Sequence, residues 1–285
     1  MEYNQKNDII NHMNNCQKHL NHVDTINLGS YYTPESIVDL AYSVLHKNIK
    51  NIESFSIIDS SCGYGSFLMK NKTTKKLIGA DIDKKAISEA KKRINNADFV
   101  CQNSLLNVCR PALNIKNNEK IIMIGNPPYN DTKSIIRNSI KDASVQNRID
   151  VDIKTRDLGM SFLLSYNKLE ADYVCVLHPL SYLIKKANFS LLKNFTDNYK
   201  LIDSLIISSH EFPDTSRGIA FPIVIAFYKR NKIGMDYDYI QNYNFKVKDD
   251  GSFCLNDFDS IANYVQKYPN KKSLHKDSQP VAKFW

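Results

Sequence analysis

The chain has 285 residues, 42% of them hydrophobic, which suffices for one large domain, or a domain and a smaller appendage, to bury a core without disulfides or a structural metal. Thirty-eight Lys and Arg against 30 Asp and Glu give a net charge of +8, which suits a nucleic-acid partner without specifying one. No apolar run approaches the ~18 residues of a membrane-spanning helix, and the first twenty residues are too polar for a secretory signal. The six cysteines are scattered, with no CxxC pair, so they predict reduced thiols in a cytoplasmic protein with no zinc cage.

In chain order, residues 1–24 predict a polar helix. His12, Cys16, His19 and His22 share one of its faces, but no carboxylate or second cluster completes a metal set, so packing on a neighbour is the expectation. Thr33 suits a helix cap and Pro34 a first helical position, and Ile37, Leu40, Ala41, Val44 and Leu45 then recur at helical spacing. From Ser54 onward, short apolar runs alternate with helix-length segments. Strands are expected over 55–59, 76–81, 97–101, 120–125, 172–177, 201–208 and 219–228, with helices at 84–94 and from about Leu158, the latter capped by Asp157. This alternation predicts an α/β fold: a seven-stranded, mostly parallel, doubly wound sheet with helices on both faces. The last two strands either continue that pattern or pair antiparallel. Residues 131–156 are polar and charged, more loop than element, and residues 232–285 carry Tyr, Asn, Asp and Lys without helical periodicity.

Two of the predicted strand ends carry chemistry. After Asp59 comes the turn Cys62-Gly63-Tyr64-Gly65, whose glycines let a ligand approach the main chain. It lacks the third glycine of a dinucleotide fingerprint and the Lys-Ser/Thr pair of a nucleoside triphosphate loop, so neither ligand is favoured. Asp81, 22 positions after Asp59 and at the end of the next strand, is placed to accept hydrogen bonds from ribose hydroxyls. The fourth strand runs into Asn126-Pro127-Pro128-Tyr129. The two prolines fix their own φ and stiffen the loop. The tetrapeptide presents the Asn126 amide oxygen, the Pro127 carbonyl and the Tyr129 ring together, two acceptors and an aromatic face that suit a planar amine.

As an ordered set, Tyr31-Tyr32-Thr33-Pro34, Asp59…Gly63-Tyr64-Gly65-Ser66-Phe67, Asp81-Ile82-Asp83 and Asn126-Pro127-Pro128-Tyr129 resembles the N6-adenine DNA methyltransferases. The tyrosine–threonine–proline motif precedes the glycine motif, as in the gamma arrangement of restriction–modification enzymes, and the resemblance spans about residues 28–230. It implies the Rossmann-like fold of the S-adenosylmethionine-dependent methyltransferases. On this chain Tyr31, Thr33 and Pro34 would close over the methionine part of S-adenosylmethionine, and Asp59, Cys62, Gly63 and Gly65 would line it, with Asp59 near its amino group. Asp81 would bind the ribose, Ile82 would pack on the cofactor adenine, and Asn103, where the family usually has Asp, would offer an oxygen to the adenine amine. Ser60 and Ser61 stand where the family often has Pro and Ala. Asn126, Pro127 and Tyr129 would be catalytic, holding a target adenine flipped out of double-stranded DNA.

The implied reaction is methyl transfer to the adenine N6 amine in a specific DNA sequence, within a restriction–modification system. The alternative is the same chemistry on an RNA adenine or a protein glutamine amide. Lys133, Arg137, Lys141, Arg148, Lys154 and Arg156 are candidates for phosphate contacts, and Arg217-Gly218, Phe212 and Phe221 for shaping the pocket. The expected organisation is an N-terminal segment over 1–50, a catalytic domain over 51–231 and an extension over 232–285. That extension either begins a DNA-recognition region that is cut short, or recognition falls to loops or to a partner specificity or restriction subunit.

Overall fold

A computed structural model describes residues 33–71, 75–129, 149–212, 220–249 and 251–258. The predicted helix over 1–24, Tyr31, the loop cations from Lys133 to Arg148, and Arg217-Gly218 lie outside the described residues.

The first described helix is α1 (Glu35–Asn48), which buries Ile37, Val38, Ala41, Tyr42, Val44 and Leu45 at the expected helical spacing. Its start differs from expectation. Pro34, at φ −55° and ψ 147°, is the cap residue, and no side chain caps the helix. The Thr33 hydroxyl is drawn instead to Asn126, 93 positions away.

The strands are β1 (Ser56–Asp59), β2 (Lys76–Asp81), β3 (Ala97–Cys101), β4 (Ile121–Gly125), β5 (Tyr173–Pro179), β6 (Tyr199–Ser208), β7 (Pro222–Arg230), β8 (Phe245–Val247) and β9 (Ser252–Phe253). They form one sheet in the order β3-β2-β1-β4-β5-β7-β6-β8-β9. The seven expected strands are all present, and β8 and β9 extend the sheet to nine. These two strands, of three and two residues, are too short to display a period of two in the sequence. Strands β1 to β5 pair in parallel, whereas β7 runs antiparallel to both β5 and β6, which settles the pairing of the last two predicted strands.

The central strands are buried on both faces, and successive side chains divide between two cores. Ile57, Ile122, Ile124, Cys175, Leu177, Ile225 and Phe227 point towards α1, joined by Phe67 and Leu68 of α2 (Ser66–Lys70) and Ile87 of α3 (Lys84–Arg93). Ile58, Ile121, Met123, Val174, Val176, Val224, Ala226 and Tyr228 face α4 (Leu158–Lys168) and three short helices, α5 (Ser181–Ile184), α6 (Lys186–Leu191) and α7 (Lys193–Thr196). Helices therefore cover both faces. Helix α8 (Tyr237–Gln241) adds Ile240 to the second core.

The added strands are tied in by a charge. Asp203 sits at an irregularity in the β6–β7 pairing and is 5% exposed. It accepts hydrogen bonds from Lys47 (2.6 Å) and Asn48 (3.1 Å) of α1 and from Lys246 (2.8 Å) of β8. Burial opposes ionisation of its carboxyl, but these bonds outweigh burial and hold the pKa down to about 2.

Candidate active site

Strand β1 lies between β2 and β4, so the chain runs outward in one direction through β2 and β3 and in the other through β4 and β5. The carboxyl ends of β1 and β4 thus flank the point where strand order reverses, the usual ligand crevice of such sheets. The strand ends carrying Asp59, Asp81 and Asn126 all belong to this edge.

Asp59 closes β1 and is 1% exposed. Burial drives its pKa up to about 8, although the Ser61 N–H donates to Oδ1 at 3.1 Å and partly offsets the effect. Beyond it the turn folds over the end of β2. The Cys62 N–H donates to the Ala80 carbonyl (2.9 Å), the Gly63 N–H to Asp81 Oδ2 (2.7 Å) and the Gly65 N–H to the Cys62 carbonyl (2.7 Å). Gly65 adopts φ +82° at the start of α2, and a Cβ there would lie 2.6 Å from Ile94 Cδ1, so any side chain at this position is strained.

Asp81 has its second oxygen engaged by the Asp83 N–H at 2.9 Å. Each oxygen retains a lone pair that a diol can use. Burial raises its pKa, opposed by these main-chain donors. Ile82 beside it is 45% exposed, an aliphatic surface next to the acid. Asn103 lies in the turn after β3, and its Oδ1 accepts the Leu105 N–H at 3.0 Å, so the oxygen expected to meet a ligand amine also shapes its own turn.

Strand β4 ends at Gly125 with φ +143°, and a Cβ there would stand 2.6 Å from Asp59 Oδ1. The glycine lets the buried carboxyl and the Asn-Pro-Pro-Tyr lip come together. Asn126 Nδ2 donates to Thr33 Oγ1 at 3.2 Å, which fixes the amide plane, while Asn126 Oδ1 is buried with no hydrogen-bond partner among the described residues. Such an acceptor carries a desolvation cost of about 1–3 kcal/mol until a donor reaches it. Pro127 is buried, and Tyr129 packs against both cores, as expected of a side chain at the sheet's edge.

The structure therefore brings Thr33, Asp59, Asn126 and the glycine turn to one edge, with Asp81 and Ile82 beside them. Phe212 is buried and Phe221 is 39% exposed. The sequence reading missed several participants. Gly125 reads there as an ordinary strand end, because its need appears only when Asp59 is seen across the crevice. Ser61 Oγ and Ser104 Oγ are buried without a hydrogen-bond partner among the described residues, at the ends of β1 and β3. Asp157 caps α4 as expected, accepting the Gly159 N–H at 2.9 Å, but it also accepts the Tyr182 hydroxyl from α5, a long-range contact with no sequence signal.

The edge offers a buried acid for a cation, a strand-end acid for a diol, an aliphatic wall for a flat ring and an unsatisfied amide oxygen for an amine. Among the described residues no group of His, Cys, Asp and Glu could hold a metal, the cysteines are free, and no helix is long and apolar enough to cross a membrane.

No curated protein matches the chain. Among solved structures it is similar to the DrdV–DNA complex, with 15% identity, a TM-score of 0.52, and coverage of 85% of this chain and 30% of that one. It is also similar to a Listeria monocytogenes protein described as a class I S-adenosylmethionine-dependent methyltransferase, with 16% identity, a TM-score of 0.51, and coverage of 72% and 62%. The chain thus spans less than two thirds of either protein, and at these identities the likeness concerns the fold. The sequence pattern of the N-6 DNA methylases matches residues 16–194, more than half of the chain and inclusive of every strand-end motif described above. The protein belongs to the N-6 DNA methylase family.

Proposed function

We propose that this chain transfers a methyl group from S-adenosylmethionine to the N6 amine of an adenine flipped out of double-stranded DNA, within a restriction–modification system. The observation that carries the reading is Asn126 Oδ1, a buried acceptor without a partner, on an amide whose other end is anchored to Thr33. Family membership and the name of the DrdV–DNA complex support DNA as the substrate.

The residues present fit S-adenosylmethionine. On this reading Asp59 would meet the methionine ammonium and Asp81 the ribose, Ile82 would pack on the adenine, and the Asn103 amide would meet the adenine amine. The buried hydroxyls of Ser61 and Ser104 stand ready as donors. Tyr31, Thr33 and Pro34 would close over the methionine part, and Cys62, Gly63 and Gly65 would line it. When bound, the cofactor supplies an electrophilic sulfonium methyl.

The chain's own work lies in holding the amine. Asn126 Oδ1 and the Pro127 carbonyl accept its two N–H groups, which draws the lone pair out of the ring and stabilises the positive charge that develops on nitrogen. Tyr129 replaces the stacking that the base loses on leaving the duplex. Fixing the amine in one orientation supplies much of the remaining acceleration. A general base is not required, since the methylated ammonium-like centre is acidic enough to release its proton to water.

On this reading the catalytic domain covers 51–231, with a motif-bearing segment over 1–50. The extension over 232–285 is anchored to the sheet through β8 and β9, and a specificity or restriction subunit is the expected partner. The test is transfer of a labelled methyl group to mixed-sequence DNA, RNA and protein. DNA should be labelled at adenine N6, and Asn126→Ala should lower the rate by about 100-fold or more, as loss of a transition-state acceptor does. Labelling of RNA or protein alone, or an unchanged rate in Asn126→Ala, would overturn the assignment.

A further inference from the structure

The buried neighbourhood of Tyr129 contains a hydrogen-bonded pair that the reaction chemistry does not use. Tyr182 of α5 is 2% exposed and donates its hydroxyl to Asp157 Oδ1. The same oxygen accepts the Gly159 N–H at the first turn of α4. A Cβ at Gly159 would lie 2.5 Å from the Tyr182 hydroxyl oxygen and 3.1 Å from Tyr129 Cβ, so Tyr129 and Tyr182 both stand against the same residue without a side chain. On its other side the Tyr182 ring stacks on His178, with centroids 5.2 Å apart and planes 11° apart. His178 is itself fixed at both nitrogens. Nδ1 lies 3.0 Å from the Pro179 carbonyl, which can only accept, so Nδ1 carries the proton and Nε2 accepts the Tyr228 hydroxyl at 2.7 Å.

From this arrangement we infer that Tyr182, held by Asp157 and backed by His178, is a positioning residue that sets the plane of the Tyr129 ring, and through it the orientation of the stacked target base. The inference rests on the proposed role of Tyr129 as the base-stacking residue. Every link is rigid. The His178 ring has no free nitrogen, the Tyr182 hydroxyl has one acceptor, and Asp157 is pinned by the start of a helix. Burial, and then the Asp157 charge, raise the Tyr182 pKa, so the phenol stays protonated and remains the donor of this bond across the working pH range. His178 stays neutral, because burial lowers its pKa to about 4. The device therefore does not switch with pH near neutrality.

The experiment uses the full chain labelled with 3-fluorotyrosine, the Tyr129 fluorine signal being identified by its loss in Tyr129→Phe. In Tyr182→Phe, which removes only the hydroxyl, the Tyr129 signal should shift or split. The kcat for methyl transfer to mixed-sequence DNA should fall by about 10- to 100-fold while the KM for the cofactor stays within about 2-fold. Asp157→Ser keeps a shorter cap acceptor for α4 but withdraws the oxygen that the Tyr182 hydroxyl reaches, and serves as the second variant should Tyr182→Phe fail to fold; it should move the fluorine signal and lower kcat in the same direction. An unmoved Tyr129 signal in folded Tyr182→Phe or Asp157→Ser overturns the inference, as does a rise in cofactor KM that accounts for the whole loss. A wild-type chain that labels no DNA would sink the proposed function instead, and the fluorine arm would still decide whether Tyr182 orders Tyr129.

Discussion

Replacing Asp59 by Asn isolates the energetic cost of keeping an acid at the end of β1. Asp59 is 1% exposed, and its pKa stands at about 8 in the fold against 3.8 for the unfolded side chain. Between these values the folded chain holds a proton that the unfolded chain has lost, so the folded state binds more protons and stability falls as pH rises. At pH 7 the distance from 3.8 amounts to about 4 kcal/mol at ~1.36 kcal/mol per pH unit, or about 2 kcal/mol if the site relaxes on ionising. Asp59→Asn keeps the oxygen that accepts the Ser61 N–H but cannot ionise. The cofactor-free variant should therefore exceed wild type in unfolding free energy by about 2–4 kcal/mol at pH 7. The difference should shrink towards zero near pH 4 and level off above about pH 8. Urea titrations of both proteins at five pH values between 4 and 9 measure this directly. Calorimetry of cofactor binding in two buffers of different ionisation enthalpy supplies the second arm: wild type at pH 7 should release close to one proton as the ammonium draws Asp59 into its ionised form, and the variant none. Parallel stability profiles for the two proteins would refute the argument, because they would mean that Asp59 is ionised in the fold at neutral pH.

Gly125→Ala should destabilise the chain by about 2–4 kcal/mol, the sum of a strained φ of +143° and a Cβ set 2.6 Å from the Asp59 carboxylate; thermal unfolding measures it, and combination with Asp59→Ala should recover part of the loss. Asp203→Ala should cost about 2–4 kcal/mol by removing the shared acceptor of Lys47, Asn48 and Lys246. Because the folded pKa of Asp203 is held down to about 2, its contribution is present above 3.8 and lost as pH falls towards 2; urea titrations of the variant and wild type should converge over that interval. Lys185 and Lys186 are exposed and follow Tyr182 by three and four positions. Their joint replacement by Gln should weaken DNA binding and lower the slope of log affinity against log salt by about 2, measured by fluorescence anisotropy between 50 and 200 mM salt; an unchanged slope would show that the phosphates lie elsewhere.

The strands and their order of appearance were legible in the sequence because the central strands are continuous apolar runs, and because Asp59, Asp81 and Asn126 each mark the point where such a run stops. The glycine turn and the Asn-Pro-Pro-Tyr lip were legible as local chemistry. Contacts between distant segments were not. Thr33 looked like a helix cap, the commonest local use of a threonine before a proline, and nothing nearby in the chain announces that its hydroxyl is taken by Asn126. Strands β8 and β9 are too short for periodicity, and β8 is attached by its parallel pairing with β6 together with Asp203, whose partners lie in α1 and β8. Tyr182 reads as one aromatic among many until the fold places it over Gly159.

These long-range contacts join the two halves of the proposed site. The turn proposed to face the cofactor begins at Asp59 and the lip proposed to face the base at Asn126, on adjacent parallel strands, and each touches a residue from outside it. Asp59 lies against Gly125, so a shift of the carboxyl as it ionises presses on the residue that starts the lip. Thr33 is followed at once by the cap of α1 and accepts the Asn126 amide N–H, so a displacement of Thr33 acts on that amide. The Asn126 oxygen is thus aimed by Thr33, a residue that the proposed function also assigns to the cofactor. On this geometry Thr33→Val, which keeps the shape of the side chain and removes the acceptor, frees the amide to rotate. It should lower kcat at saturating cofactor by about 10-fold, and Thr33→Ser should restore most of the rate. Equal loss in the valine and serine variants would place the role of Thr33 in packing and break the proposed link between the two halves.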